Sequence, residues 1–314
     1  MKGRIMPTNT MNLPEETPVW RSLMFVPVNV KRFVSKAHTR GADALQLDLE
    51  DSIATADKAD ARKLVQEAAA TVSQAGADVV VRINQPLRLA IPDLEETISP
   101  RVQAVAVTKV DGPGHLRLLS EVMDELEAER GMAVGTTKMI AMVETAEAFF
   151  RMENIAKASS RVMAMTLGSE DFATSLGVLP EPDVMLFPKQ QAIIAARAAG
   201  ITPMGIIGTV ANYNDVEGMR EVIRTSRRFG FQGAACVHPK IVPILNQEFR
   251  PTKEEIMNAR KIILAFDEAV AAGRASLEVD GKMVDYPVVY RAQNLLAIEE
   301  GITQREAKMA AAAK

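Results

Sequence analysis

Short apolar runs alternate with longer amphipathic stretches along most of this chain. The runs fall at residues 22–26, 44–48, 79–83, 104–109, 139–143, 162–167, 204–207 and 234–237. Each is apolar almost throughout rather than at every second position, the pattern of parallel strands covered on both faces. The stretches between them read as helices. Residues 57–73 are rich in Ala, Lys and Glu, 115–130 carry Leu at helical spacing, and 145–158 open with acids. Residues 190–199 and 215–229 complete the clearer set. Gly41, Gly200 and Gly230 each follow such a stretch, where a left-handed helix end favours glycine. Eightfold strand–helix alternation predicts an α/β fold, a (β/α)8 TIM barrel. An open sheet of the Rossmann type is the alternative, and it wants a Gly-x-Gly-x-x-Gly turn after its first strand. Here that strand runs into Pro27-Val28-Asn29-Val30, which holds no glycine, so the barrel is preferred.

Pro251 opens a different region. Thr252 is placed to cap a helix running through Ala272, with Glu254 and Glu255 near its positive end. Residues 277–282 read as a hairpin built on Asp280-Gly281, the strongest turn signal in the chain. A final helix is expected at about 290–300, and the Ala/Lys-rich end, 307–314, is expected to fray. The predicted division is an N-terminal arm at 1–20, a barrel at 21–250 and a C-terminal helical and hairpin extension at 251–314. The extension exceeds what a barrel needs and is read as capping or contacting an adjacent subunit.

Composition narrows the classes. Hydrophobic residues make up 47% of the 314, enough to exclude a disordered chain. Lys plus Arg number 37 against 40 Asp plus Glu, so the basic excess typical of a nucleic-acid binder is missing. The single cysteine, Cys236, cannot close a bridge within the chain, which suits a reducing compartment. The first 20 residues carry three prolines and two glutamates without an apolar core, and no stretch reaches the length of a membrane span. The expected location is the cytoplasm, with neither membrane nor nucleic acid as partner.

In a barrel the chemistry sits at the C-terminal ends of the strands. Strand two ends in Asp48-Leu49-Glu50-Asp51, strand three in Arg82-Ile83-Asn84, strand four in Lys109, strand five in Glu144, and strand six runs into Gly168-Ser169-Glu170-Asp171. Five consecutive strands thus deliver charge to one rim, and charges beside apolar strands are costly unless paired or metal-bound. Structural ion pairs are the bland reading. Glu144 and Asp171 form the sharpest pair: with no His or Cys near them, zinc is disfavoured, and two carboxylates on neighbouring strands suit Mg²⁺ or Mn²⁺ with an oxygen-rich substrate such as a 2-oxo acid. Glu144 could instead be a first-turn acid of the next helix. Lys109 is compatible with a Schiff-base amine, though an ion pair or a substrate-carboxylate contact fits its acidic neighbours better. His238 could serve as a base or bond loop backbone, the latter preferred. His38 and His115 read as helix-surface residues, Cys236 and the 17 methionines as core, and the basic run 224–228 as a solvated helix end.

These residues resemble the citrate lyase beta-subunit-like proteins of the HpcH/HpaI aldolase superfamily, which include malyl-CoA and citramalyl-CoA lyases. The resemblance runs from Arg21 to Ile298. It rests on Arg21-Ser22-Leu23-Met24-Phe25-Val26-Pro27, Leu47-Asp48-Leu49-Glu50-Asp51, Val81-Arg82-Ile83-Asn84, Val143-Glu144-Thr145-Ala146, Gly168-Ser169-Glu170-Asp171-Phe172, Val237-His238-Pro239 and Gly281-Lys282-Met283-Val284-Asp285, in the family's order. It implies a Mg²⁺-dependent barrel lyase, a trimer or dimer of trimers, with CoA as part of the substrate. Glu144 and Asp171 match its metal ligands, Arg82 its enolate-stabilising arginine, and Glu50 and Asp51 its water-orienting acids. Gly168 falls in the substrate-binding stretch. Arg32 and Lys36 match positions that meet CoA phosphates. Asp285 matches an acid/base supplied by an adjacent subunit. Three stretches depart from the family's pattern: Pro27-Val28, Phe187-Pro188-Lys189, and Gly208-Thr209-Val210-Ala211-Asn212-Tyr213. The reaction implied is reversible cleavage of a 3-hydroxyacyl-CoA to a 2-oxo acid and acetyl-CoA. The alternatives are a beta subunit acting on a carrier-bound citryl thioester within a larger citrate lyase, and a catalytically silent barrel that binds CoA or an organic acid.

Overall fold

The computed structural model describes residues 18–209 and 214–313, so most of the expected N-terminal arm and positions 210–213 lie outside the described residues. Strands β1 (Ser22–Pro27), β2 (Ala44–Asp48), β3 (Asp78–Ile83), β4 (Ala104–Val107), β5 (Lys138–Val143), β6 (Val162–Leu167), β7 (Thr202–Met204) and β8 (Ala234–Cys236) form one parallel sheet. Its order is β7-β6-β5-β4-β3-β2-β1-β8. The two edges meet through main-chain bonds from Gln232 N–H to the Pro203 carbonyl (3.1 Å) and from Gly205 N–H to the Gly233 carbonyl (2.8 Å). The ring is therefore nearly closed, the predicted (β/α)8 TIM barrel.

Side chains alternate across this wall. Leu45, Leu47, Val79, Val81, Val105 and Val107 face outward onto helix residues such as Leu116, Leu119 and Met123. Inward positions make a second cluster, with Leu23, Val80, Ile140, Met142 and Met204 among alanines 44, 104, 106 and 164. Barrel interiors are ordinarily filled by bulky branched residues; the four alanines leave this one less full.

Several helices differ from their predicted spans. The expected helix at 57–73 is two, Lys58–Arg62 and Val65–Val72, and that at 145–158 is also two, Ala146–Phe149 and Met152–Ala156. The helix expected at 190–199 starts at Pro182, where a proline at the first position needs no N–H partner. Gly200 and Gly230 take φ of 72° and 118°, the left-handed ends that were expected.

The described residues divide into a barrel unit, 20–249 with 308–313, and a second unit built from Arg250–Ala307 with residues 18–19. In the second unit, Thr252 caps the helix Lys253–Ala271 through a reciprocal box: Glu255 N–H donates to its hydroxyl (3.1 Å) and Thr252 N–H to the Glu255 carboxylate (2.7 Å). Strands β9 (Leu277–Val279) and β10 (Lys282–Val284) form the expected hairpin, with Asp280 and Gly281 at φ of 49° and 74°. Phe266, Val279, Val284 and Val289 make its core.

The last helix spans Tyr286–Ala312, so the expected fraying after residue 307 is not observed. Alanine is the strongest helix former, and the tip is held in the barrel unit, where Lys308 Nζ donates to Asp78 Oδ1 (3.0 Å). Among the described residues no helix is long and apolar enough to cross a membrane.

Candidate active site at the barrel rim

The rim is a connected lattice of charge. Arg82, near the end of β3, donates from Nε and Nη2 to the two oxygens of Asp48, each at 2.7 Å, and Nη1 lies 3.1 Å from Glu50 and 3.7 Å from Asp51. Its guanidinium also sits 4.7 Å from the centre of the Phe25 ring. Burial alone would raise the Asp48 carboxyl, but the paired Arg82 bonds overcome it and hold that carboxyl below its ordinary value. Glu50 moves the other way: burial and the adjacent Asp51 raise it, against the pull of Lys109 and Arg82.

Behind this face a second set of bonds fixes the loop. Lys58 Nζ donates to the carbonyls of Leu49 (3.0 Å) and Glu50 (2.7 Å) and to Asn84 Oδ1 (2.6 Å). Asn84 in turn donates to Asp93 (2.6 Å), which also accepts from Arg62 (2.9 Å).

Lys109 follows β4 with φ of 45°, an uncommon value for a side-chain-bearing residue. That turn aims its main-chain N–H at Glu144 Oε2 (2.6 Å). Its ammonium lies 2.5 Å from Glu50, 3.6 Å from Asp51 and 3.5 Å from Asp171. Despite partial burial these carboxylates hold it protonated, well above the ordinary lysine value. A protonated amine is no nucleophile, so the arrangement favours the ion-pair reading over a Schiff base.

Glu144, just past β5, is 3% exposed, and burial, with Asp171 and Glu50 adding to it, pushes its carboxyl up to about 7. It lies against the backbone of Gly168, where a Cβ would fall 2.7 Å from Glu144 Oε1 and 2.8 Å from its Cγ. Gly168 thus makes room for the carboxylate rather than supplying a side chain. Asp171, in the helix Ser169–Leu176, is half-exposed and faces Lys109.

The donor set suits a hard cation. It contains carboxylates and a carved space beside one of them, the imidazole that lines the same cavity, His238, accepts from the Lys240 N–H, and an ammonium already sits among three of the acids. Among the described residues no ready-made cluster of three or more metal-binding side chains occurs; a Mg²⁺ ion, which keeps several waters, needs only one or two carboxylates.

A cavity of about 720 Å³ opens at this rim, lined by Asp48, Arg82, Glu144 and Asp171 and by Arg32 and Lys36 of the exposed helix Lys31–Ala37. Arg40 lines it as well, a cation that the four-residue spacing after Lys36 could have flagged. Asp285 belongs to the other unit, where its carbonyl accepts from the N–H groups of Val288 and Val289 at the start of the last helix. Two further residues escaped the sequence reading. Asp48 stands in the strand-end motif without a role of its own, though its place two residues before Glu50 puts both on the inner face. Lys189 is 3% exposed, and its ammonium, 2.5 Å from the Leu167 carbonyl, is pushed down by burial to about 7.

The other candidates resolve simply. His238 Nδ1 accepts from the Lys240 N–H (3.2 Å), the loop-bonding role that was preferred. Cys236 is core, its thiol pushed up by burial to about 12. His38 and His115 are half-buried rather than on the open helix surface, with His38 Nδ1 and both ring nitrogens of His115 shielded from solvent.

The chain belongs to the HpcH/HpaI aldolase/citrate lyase family, whose model matches residues 21–239, and it is a lyase of citrate lyase beta-like type. It is 34% identical over 284 residues to the citrate lyase subunit beta of Leuconostoc mesenteroides subsp. cremoris, covering 88% of this chain and 92% of that one. It is 32% identical over 287 residues to a (3S)-malyl-CoA thioesterase of Cereibacter sphaeroides, with 90% and 95% covered. The fold superposes on the crystal structure of Mycobacterium tuberculosis CitE in complex with magnesium, acetoacetate and coenzyme A, with a TM-score of 0.70, 26% identity, and 89% and 97% of the two chains covered.

Proposed function

We propose that this protein is a Mg²⁺-dependent carbon–carbon lyase that reversibly cleaves a 3-hydroxyacyl-CoA of the malyl-CoA or citramalyl-CoA type into a 2-oxo acid and acetyl-CoA. The observation that carries the reading is the seating of Glu144: a nearly buried carboxylate, held by the Lys109 N–H and cleared by Gly168, next to Asp171 on the following strand–helix turn. Glu144 and Asp171 would hold the cation, with Gly168 keeping the space beside them open. When bound, Mg²⁺ supplies Lewis acidity toward the oxygens of a chelating hydroxy or oxo acid.

The chain's own residues account for the rest. In this reading Glu50, which lies with Asp51 at the rim and is raised by burial, takes the proton of the reacting hydroxyl, while Asp51 orients water beside it. As the C–C bond breaks, its electron pair moves onto the thioester oxygen. Arg82, locked in place by Asp48, offers positive charge where that enolate develops. Asp285 of a neighbouring copy delivers the proton to carbon, and Arg32 and Lys36 meet the CoA phosphates. In the purified protein, malyl-CoA and citramalyl-CoA should each be tested for release of 2-oxo acid with Mg²⁺ and with EDTA. Metal-dependent release from at least one supports the reading, and release from neither overturns it.

A further inference from the structure

Lys189 is a buried cation that the lyase reading leaves without a task. It sits in the helix Pro182–Ala198, is 3% exposed, and lines the same cavity as Glu144 and Asp171. Its ammonium donates to the Leu167 carbonyl at 2.5 Å. Among the described residues it has no ion-pair partner, and burial alone pushes the ammonium toward its neutral form. A buried ammonium with no acid beside it destabilises a fold. An apolar side chain of similar length would fill the same space, so packing does not account for a lysine here.

The carbonyl that Lys189 holds lies at a junction. Toward β5 the ladder runs to its end: Leu167 is in register with Val143, and the Gly168 N–H donates to the Val143 carbonyl (3.0 Å). Toward β7 the register stops one residue earlier, at Thr166 opposite Met204. There Gly205, at φ of 140°, turns its N–H to the Gly233 carbonyl. Lys189 reaches in from the helix packed on β6 and β7 and supplies a donor to the last carbonyl of β6.

That carbonyl and the Gly168 N–H belong to one peptide plane. Val143 holds one edge of the plane and Lys189 the other. Gly168 comes next, at the position where a Cβ would collide with Glu144. Its carbonyl then opens the helix Ser169–Leu176 by accepting from the Phe172 N–H (3.0 Å), with Asp171 in the first turn. Ser169 Oγ ties the helix start to the Gly208 carbonyl (2.5 Å), but beyond the plane that sets Gly168.

We infer that Lys189 is a positioning residue for the metal site: by holding the Leu167 carbonyl it fixes the peptide plane that keeps Gly168 clear of Glu144 and starts the helix carrying Asp171. The inference rests on the reading of Glu144 and Asp171 as the metal ligands.

Lys189→Met tests it in the whole chain. Calorimetric titration should show Mg²⁺ binding about tenfold weaker than in the parent, the low end of the usual effect of disturbing a ligand's supports. Hydrogen exchange in the metal-free protein should be faster at the amides of residues 168–172. The melting temperature at neutral pH should rise, because the buried charge has gone. Affinity and stability thus move in opposite directions, which a lysine that only holds the fold together would not produce. Unchanged Mg²⁺ affinity, exchange at those amides no faster than in the parent, or a fall in stability that accompanies the fall in affinity would each overturn the inference. A parent protein that binds no Mg²⁺ overturns the metal reading and the inference together, and that result shows before any variant is compared.

Discussion

The main-chain N–H of Lys109 donates to Glu144 Oε2 across 2.6 Å, and Lys109 adopts φ of 45° to do so. A left-handed conformation in such a residue costs of the order of 1–3 kcal/mol. That strain accompanies a double role, since the same residue orients one carboxylate by its backbone and neutralises Glu50 by its side chain. Lys109→Met keeps the N–H and removes the charge. Mg²⁺ should then bind several-fold tighter in a calorimetric titration, because a competing cation has left the rim, while the metal-free protein melts lower because Glu50 keeps Arg82 but loses the Lys109 ammonium. Unchanged or weaker Mg²⁺ binding would show that the ammonium does not compete for the site.

Gly168→Ala tests the space beside Glu144. The new methyl meets both the Cγ and a carboxylate oxygen of a buried side chain. It should displace Glu144 and weaken Mg²⁺ binding about 10–100-fold, the usual effect of disturbing a ligand's supports. The far-ultraviolet circular dichroism should stay that of the parent.

Lys189 gives a pH signature. Burial lowers its ammonium from 10.5 to about 7 in the folded chain. Between those values the unfolded chain binds more protons, so the burial penalty is full below pH 7 and fades as pH approaches 10.5. Lys189→Met should therefore be stabilising by on the order of 2 kcal/mol near pH 7, after allowing for the lost Leu167 bond. The gain should shrink steadily toward pH 10. Denaturant unfolding of both proteins across this range checks it, and a pH-independent difference would sink the assignment.

Asp285 is tested by complementation. Arg82→Ala and Asp285→Asn should each be inactive alone, and the two proteins mixed under subunit-exchange conditions should regain part of the activity if the site is shared between copies. No recovery after demonstrated exchange would assign Asp285 to its own chain or to none.

Much of this was legible in the sequence because barrel strands buried on both faces read as continuous apolar runs and their last residues identify the rim. Glu50, Arg82, Lys109, Glu144 and Asp171 were located that way, and Thr252 as a helix cap was legible from its place before an amphipathic stretch, although the reciprocal bond from Glu255 was not. Other features depended on information outside any local window. The inward face of β2 carries Gln46 and Asp48, and in a run of Ala-Leu-Gln-Leu-Asp only the register with β1 and β3 reveals that Gln46 is flanked by Phe25 and Val80. Lys189 stood out only as part of a stretch that departs from the family's pattern, since its burial follows from packing against β6. The Ala-rich end looked free because its anchor, Asp78, lies far away in sequence.

That anchor has a practical consequence. Asp78 opens β3 at the barrel end opposite the rim, where Oδ2 accepts the indole N–H of Trp20 (2.8 Å) and Oδ1 the Lys308 ammonium (3.0 Å). Trp20 is the chain's sole tryptophan. Its emission is thus an optical reporter built into the native protein. A shift on Lys308→Ala would register release of the helix tip, with no dye attached and the rim left untouched.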